Sequence, residues 1–545
     1  MTSAPVRTPV LIVGGGPVGF SLALDLAQRG TSSTLVESDA GTALQLLAKA
    51  GTLYERSMEY CRRLGIAEKV AAVGFPDDYP RDTVYCTALQ GFPIGRDPLP
   101  STAERPLAPE TPEMLRRCPQ YVFDPLLADA VLERGLTDVR YDHRLTGLTE
   151  HDDGVTATLE TGDGDELIVH ADYLVGCDGA ASTVRQALGI PFDGQQLDYS
   201  VSLMIYCADF ERHQPYGRCE RWMFMAPEGT WGNITTVDGR GLYRFTIIGS
   251  PDRIAPDKLD VGALLRRAIG DDTIDIPWHV VNVMPWRRSQ CAASVFHSGR
   301  VVLAGDAAHT TSPTGGHGLN TSLGDCSDLG WMLPALLHGW GGEGLLAAYT
   351  AERRPVAIRN SSLSTRNYKV WVENDGREHI LEDSDVGRQQ REALGARMSA
   401  LLKQEWQSFG VTMGYSYSDS PIIVSDGTPA PPDEPGTYVQ TSRPGHRAPH
   451  AWLAPGRSTI DLFGEGFTLL VFGPEASDSS TLTKAAGNVG MPLKVQAIDD
   501  AQIIELYERR LVLVRPDGMV AWRGDQLPED VDGLVDRVRG AGRQS

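Results

Sequence analysis

The sequence predicts an α/β protein: a Rossmann-like nucleotide-binding domain interleaved with a mostly antiparallel sheet domain, and a smaller α/β domain at the C-terminus. Three observations predict it. A strand, a glycine loop, a helix and a second strand open the chain between Pro9 and Glu37. Strand-like runs separated by Gly and Pro fill the region from Tyr199 to Ser250. Strand and helix patterns alternate again beyond a stretch dense in Pro, Asp, Ser and Gly, Asp419 to Pro435. The length, 545 residues, is enough for several cores.

The opening unit is the best defined. Pro9–Val13 is a short apolar run of the kind buried in parallel sheets. Gly14-Gly15-Gly16-Pro17-Val18-Gly19 follows, then a helical pattern over Phe20–Gln28 that Gly30 ends, then a strand at Thr34–Glu37. In Gly14-x-Gly16-x-x-Gly19 the first glycine permits the turn, the second lets backbone approach a pyrophosphate, and the third lets helix pack on strand. The pyrophosphate then rests on the positive end of the helix. Glu37 stands where a carboxylate accepts hydrogen bonds from ribose hydroxyls. NAD and FAD are not separated by this motif.

Further on, Phe75–Pro119 is Pro-rich and irregular, and helical patterning returns at Asp124–Arg134. Strands are expected at Val155–Glu160, Glu166–His170 and Tyr173–Cys177, then at Val201–Ala208, Arg221–Met225, Gly232–Val237 and Leu242–Ile248. Val301–Ala304 is another buried strand, followed by a loop and helices to about Leu402. In the C-terminal part, strands are expected at Phe467–Phe472, Leu493–Ile498, Leu511–Arg515 and Val520–Arg523, with helices at Ser480–Gly487 and Val531–Arg539.

Composition excludes some functions. Hydrophobic residues are 41% and charged residues 22%, as in ordinary globular domains. A net charge of −21 with no basic block argues against a nucleic-acid partner. The eight cysteines include no C-x-x-C pair, and none follows Cys326, which fits reduced thiols rather than a disulfide framework or a metal site. No secretory signal pattern and no bilayer-length apolar run is present, so no membrane partner and a cytoplasmic location are expected.

Two later motifs narrow the cofactor. In the first, Tyr173–Cys177 ends in Asp178-Gly179, and a helix starts at Ser182. A carboxylate at such a strand end can order backbone beside a pyrophosphate. In the second, Val301–Ala304 ends in Gly305-Asp306, followed by His309 and Ser312-Pro313-Thr314-Gly315-Gly316-His317-Gly318-Leu319-Asn320. Asp306 can accept from a ribityl hydroxyl, and a helix beginning near Leu319 favours negative charge on a reduced flavin.

In order and spacing, these three motifs resemble those of the group A FAD-dependent aromatic hydroxylases, the p-hydroxybenzoate hydroxylase-like enzymes, over about Pro5–Asn360. Lys49–Gly65, and Cys118-Pro119-Gln120 with Leu126-Leu127-Ala128, resemble the angucycline polyketide hydroxylases and phenol hydroxylase-like enzymes. Tyr438–Leu453 and Arg515–Arg523 resemble the thioredoxin-like tail of the latter, here without cysteine.

The resemblance implies a GR2-type FAD-binding domain over 1–75, 120–190 and 286–402, and a substrate domain over 76–119 and 191–285. It implies a linker region over 403–435 and a thioredoxin-like domain over 436–545, in a monomer or homodimer. Gly14, Gly16, Pro17, Gly19, Glu37, Ser38, Lys49, Gln120, Asp178, Asp306, Pro313, Gly316, Gly318, Leu319 and Asn320 are the expected cofactor contacts. Lys49 stands where the family commonly has Arg, keeping the charge without the bidentate fork.

The implied activity is hydroxylation of a phenolic or polycyclic polyketide aromatic through a flavin C4a-hydroperoxide, with NADPH or NADH as transient co-substrate and O₂. Epoxidation, a Baeyer–Villiger outcome and a non-oxygenating flavoprotein stay open. Pro313, Tyr206, Trp222, Met225, Trp231 and Arg244 are the candidate pocket residues, with core packing the competing role for those on the sheet. His309 and His317 flank Pro313 and read more readily as structural than as proton carriers. Related phenol hydroxylases place an acidic base near the position of Gly51; glycine here leaves the base unassigned, and no catalytic side chain is named.

Overall fold

A computed structural model describes residues 5–42, 49, 51–274, 276–473 and 479–542. Two eight-stranded sheets dominate it. The first runs His297–Ser298, Val301–Leu303, Glu166–Gly176, Val6–Val13, Ser33–Val36, Thr137–Arg140. Its middle is parallel, with Val10 opposite both Tyr173 and Ser33. The helix Pro17–Gln28 is buried along most of its length, between the sheet and the helices Gln120–Arg134 and His317–Leu337. The residues expected as two strands, Glu166–His170 and Tyr173–Cys177, form one strand, Glu166–Gly176. Its first half pairs with the hairpin strand Gly154–Thr161 and its second half enters the parallel core.

The second sheet runs His309–Thr310, His279–Ala293, Phe192–Tyr206, Leu242–Ser250, Gly229–Thr236, Arg221–Ala226, Thr83–Cys86, Pro93–Asp97. It is antiparallel except where Thr83–Cys86 lies parallel to Arg221–Ala226. Three of these strands depart from expectation. His279–Ala293 carries no clean apolar alternation and holds a proline, so its pairing with Phe192–Tyr206, not its composition, makes it a strand. Thr83–Cys86 and Pro93–Asp97 lie in the stretch read as irregular; Pro93–Asp97, which begins with a proline, is the edge strand, and Thr83–Cys86 pairs on both sides.

Strand period two gives this sheet two unlike faces. Leu203, Ile205, Trp222, Phe224, Ile234, Tyr243 and Phe245 form one apolar core with residues of the helix Val261–Ile269. The opposite face carries Ser202, Met204, Asn233, Thr235, Arg244 and Thr246 and turns toward the first sheet. The helix Asp385–Trp406 closes one end, packing on Tyr85, Met223 and Met225 together with Tyr368 and Trp371. Within the region expected as a linker, Tyr417, Ile422 and Ile423 are buried against the first core.

The C-terminal sheet has the order Leu493–Ile498, Phe467–Phe472, Leu511–Val514, Val520–Gly524. The first two strands are parallel and the rest antiparallel. With helices Ser480–Asn488, Ala501–Tyr507 and Val531–Val538, this is the thioredoxin-like β-α-β-α-β-β-α order. Among the described residues no helix is long and apolar enough to cross a membrane.

Candidate active site

The polar face of the second sheet and the carboxyl ends of the first enclose a cavity of about 820 Å³. At one end its wall is glycine and helix N-termini. Gly14, at φ +112°, bends the chain so tightly that an added Cβ would sit 2.5 Å from the Cys177 carbonyl oxygen. Beside it, the position of a Cβ on Gly16 is open space within 4 Å, so a ligand can lie against this backbone. The helix beginning at Pro17 points its unpaired amides at that space. Gly316, at φ +70°, caps the second such helix, His317–Leu337, and Gly316, Gly318 and Leu319 line the cavity with Pro313. Asp306 lies between the two helix starts. Its carboxyl opens on the cavity but is enclosed by surrounding protein, and that burial pushes it above the ordinary carboxylate range. Lys49 and Gln120 complete this end.

Several expected contacts stand behind the wall rather than in it. Asp178 spends both carboxylate oxygens on the following turn: Ser182 Oγ donates at 2.6 Å and the Val184 amide at 3.0 Å. It therefore shapes the turn that brings Gly179 and Ala180 to the cavity. Asn320 is likewise used up: it accepts from the Tyr54 amide at 2.8 Å and Ser57 Oγ at 2.7 Å, and donates to the Thr52 and Gly316 carbonyls. It pins one wall to the other. Glu37 accepts from the Gly15 amide at 2.6 Å and from Ser38 Oγ at 3.1 Å, so both carboxylate and hydroxyl border the glycine turn. Gly19 packs helix on strand, where a Cβ would meet the Gly14 carbonyl oxygen at 2.0 Å. His309 Nε2 bonds Asp325 at 2.8 Å, and burial lowers His317 to about 4, so both are structural and neither lines the cavity.

The other end of the cavity is cationic. Arg81, Arg117, Arg221, Arg244 and Arg288 line it. Burial alone would raise Glu220, but Arg117, Arg81 and Arg221 hold it at about 2. Arg244 has no carboxylate partner: it donates to the Lys49 carbonyl at 3.2 Å, and its buried Nε has no hydrogen-bond partner. Burial, with Arg221 and Arg117 close by, lowers it to about 10. Aromatic surface comes from Trp286, Trp371, Trp406 and Phe409.

Of the candidate pocket residues on the sheet, Arg244 lines the cavity and the others do not. Trp222 is fully buried on the opposite face against Phe210. Trp231 has the parity of Asn233 and Thr235, but a bulge opposite Phe224–Met225 reverses it, and it stacks on Phe224 instead. Met225 shares the cavity face but packs in the cluster behind Trp371. Tyr206 ends its strand at the surface, 46% exposed. Sequence reasoning favoured aromatics and so passed over Arg117, Glu220, Arg221 and Glu55. For Arg221 the signal is period two, which sets it on the face opposite Trp222; Arg117 lies in a two-residue strand, Glu220 just before a strand and Glu55 at a helix start, where no such period operates.

A family model described as an FAD binding domain matches residues 7–364, and one described as the C-terminal domain of aromatic-ring hydroxylases matches 441–541. The chain belongs to the FAD-dependent aromatic-ring hydroxylases. Among relatives, the FAD-dependent monooxygenase apdD of Emericella nidulans is 32% identical over 97% of this chain and 90% of its own. Tetracenomycin B2 monooxygenase-dioxygenase of Streptomyces olivaceus is 31% identical over 98% of each. The rebeccamycin biosynthetic enzyme RebC with reduced flavin superposes with TM-score 0.90 at 39% identity, covering 99% of this chain and 100% of that one. A second RebC structure, with the same TM-score, identity and coverage, is described as soaked with chromopyrrolic acid and holding 7-carboxy-K252c.

The aromatic-ring hydroxylase family binds FAD, and this cavity fits it: a glycine cradle open at Gly16, two helix N-termini for negative charge, and a carboxyl at Asp306 lie along one wall. The protein is an FAD-dependent aromatic monooxygenase, and its substrate is aromatic.

Proposed function

We propose that the protein hydroxylates a polycyclic phenol that carries an anionic group, using NADPH or NADH and O₂. The observation that carries this reading is Arg244, a half-buried guanidinium in the cavity wall whose buried Nε has no partner, with two arginines and a single carboxylate, Glu220, close by. Leaving a buried N–H of a cation unpaired amid excess positive charge is costly, so the site favours a ligand that brings an anion. A carboxylate gives the bidentate partner. The acidic ligands named for RebC, chromopyrrolic acid and 7-carboxy-K252c, support the anionic part of this reading.

In this reading Gly14, Gly16 and Pro17 present backbone to the pyrophosphate, Glu37 and Ser38 border the ribose, and Lys49, Gln120 and Asp306 border the ribityl chain. Pro313, Gly316, Gly318 and Leu319 border the flavin ring, at a helix start that stabilises negative charge. Bound FAD supplies the redox chemistry that joins NAD(P)H oxidation to insertion of one oxygen atom. The chain's own part is to hold the ring in place, keep water out and fix the charge of the substrate.

The test is a panel of hydroxyanthraquinone carboxylic acids, their methyl esters and simple phenols, scored by stimulated NADPH oxidation and product mass. The acids are expected to stimulate most, with products heavier by one oxygen. Arg244→Met is expected to weaken binding of the acids by about 2–4 kcal/mol, some 30- to 1000-fold in Kd, and to change the esters far less. Equal stimulation by acids and esters overturns the anionic part of the reading; stimulation by simple phenols alone overturns the polycyclic part.

A further inference from the structure

Five carboxylic acids reach the cavity wall: Glu55, Glu113, Glu220, Asp306 and Glu405. Four are engaged. Glu220 is held by its three arginines. Glu405 is sealed, accepting from Arg221 at 3.1 Å and from Trp371 Nε1–H at 2.9 Å. Glu113 accepts from Arg62 at 3.0 Å. Asp306 stands between the helix starts at the cofactor end.

Glu55 differs. It is the first residue of the helix Glu55–Arg63, directly after Tyr54, whose hydroxyl donates to the Gly315 carbonyl at 2.6 Å. Its side chain is 10% exposed, and its nearest cation, Arg105, is 3.9 Å away, too far for a hydrogen bond. No side-chain donor among the described residues bonds it; its carboxylate has a hydrogen bond from its own backbone amide, and it lines the cavity.

We propose that Glu55 is the general base that takes the proton from the substrate's phenolic hydroxyl. This rests on the phenolic reading above. In the step, a Glu55 carboxylate oxygen accepts the hydroxyl proton. The O–H bonding pair stays on the substrate oxygen as phenolate, and electron density rises at the ring carbons ortho and para to it. No electron leaves the substrate in this step. Once the ring has been hydroxylated, protonated Glu55 returns the proton to the product oxygen. The groups that face Glu55 are Arg105 and Arg81 from the loops packed on it, and Tyr54 and Glu59 from its own segment. Burial raises it above the usual carboxylate value, against its own backbone amide and the two arginines, which strengthens it as a base.

The test uses FAD-loaded wild type, Glu55→Gln and Glu55→Asp, with a hydroxyanthraquinone carboxylic acid that stimulates NADPH oxidation by the wild type. Its phenolate absorbs to the red of its phenol, so its ionisation on the enzyme is read directly by equilibrium titration. The wild type is expected to bind it as phenolate well below its free pKa. Glu55→Gln is expected to bind it as phenol, to lose about a hundredfold in kcat/KM at neutral pH, and to recover as pH approaches the free phenol's pKa. Glu55→Asp should keep the phenolate band with a smaller loss, and it decides the matter if Glu55→Gln loses FAD. An unchanged phenolate band and pH profile in Glu55→Gln, or in its place a phenol-only spectrum in a well-folded Glu55→Asp, overturns the assignment. Absence of stimulation by any aromatic acid in the wild type instead overturns the functional reading it rests on.

Discussion

Gly14 and Glu220 show how single residues set the two ends of the cavity. At Gly14 a side chain would face both a left-handed backbone and the Cys177 carbonyl oxygen. Gly14→Ala is expected to cost about 1–3 kcal/mol in strain and to lower FAD content, measured by the flavin-to-protein absorbance ratio and the urea midpoint. Glu220 has a folded pKa of about 2, below its unfolded value near 4.5, so its stabilisation is present above pH 4.5 and lost as pH falls toward 2. Glu220→Gln should be less stable than wild type at pH 6 by roughly 3 kcal/mol, and the gap should close on acidification to pH 3 and below. A gap that stays constant with pH contradicts the ion-pair account. Residue by residue, the sequence was readable where backbone decides. Gly16, Pro17, Asp306, Pro313, Gly316, Gly318 and Leu319 line the cavity, with Gly14 shaping the turn behind them. The sequence is less legible where side-chain direction decides: Asp178 turns to Ser182 and Val184 close by in sequence, Asn320 turns to Thr52, Tyr54 and Ser57 far from it, and the bulge at Trp231 is set by strand pairing.

At the scale of elements, the helix His317–Leu337 aims its start at the cofactor end and is held from behind by the helix Gly344–Val372. Arg353 makes the join: it donates to Asp325 at 2.8 Å, to the Thr321 carbonyl at 2.7 Å and to the Tyr417 hydroxyl at 2.8 Å, all buried. Asp325 in turn accepts from the Gly305 amide at 3.0 Å, which fixes the turn carrying Asp306. Arg353→Met leaves Asp325 buried without its guanidinium partner and should cost about 3–5 kcal/mol, read from denaturant unfolding, with weaker FAD retention. Wild-type stability and FAD content in that variant contradict the role given to this pair of helices. Element type followed from periodicity in most of the chain. The strand His279–Ala293 escaped because its pairing partners, not its own pattern, dictate it.

For the whole molecule, the C-terminal domain is tied to the FAD-binding part through buried charge. Arg515 donates to Glu352 at 2.5 and 2.9 Å and to Asp517 at 3.0 Å, and Asp517 also accepts from Trp331 Nε1–H at 2.9 Å. Glu352 and Arg353 are neighbours on one helix, so the domain docks on the helix that braces the Asp306 turn. The domain has no cysteine, and docking gives it a structural part to play without thiol chemistry. Single variants Arg515→Met and Glu352→Gln should each destabilise, and the double variant should cost at least about 1 kcal/mol less than their sum; strict additivity contradicts direct coupling.

The central claim is that this cavity hydroxylates an aromatic ring. It is tested most directly by incubating the FAD-loaded enzyme with NADPH, a hydroxyanthraquinone carboxylic acid and ¹⁸O-labelled O₂, then weighing the product. The account predicts NADPH oxidation accelerated by the aromatic and a product heavier by one labelled oxygen with its ring system intact. A ring-expanded lactone, an epoxide, or accelerated NADPH oxidation that yields only hydrogen peroxide with every aromatic tried contradicts it.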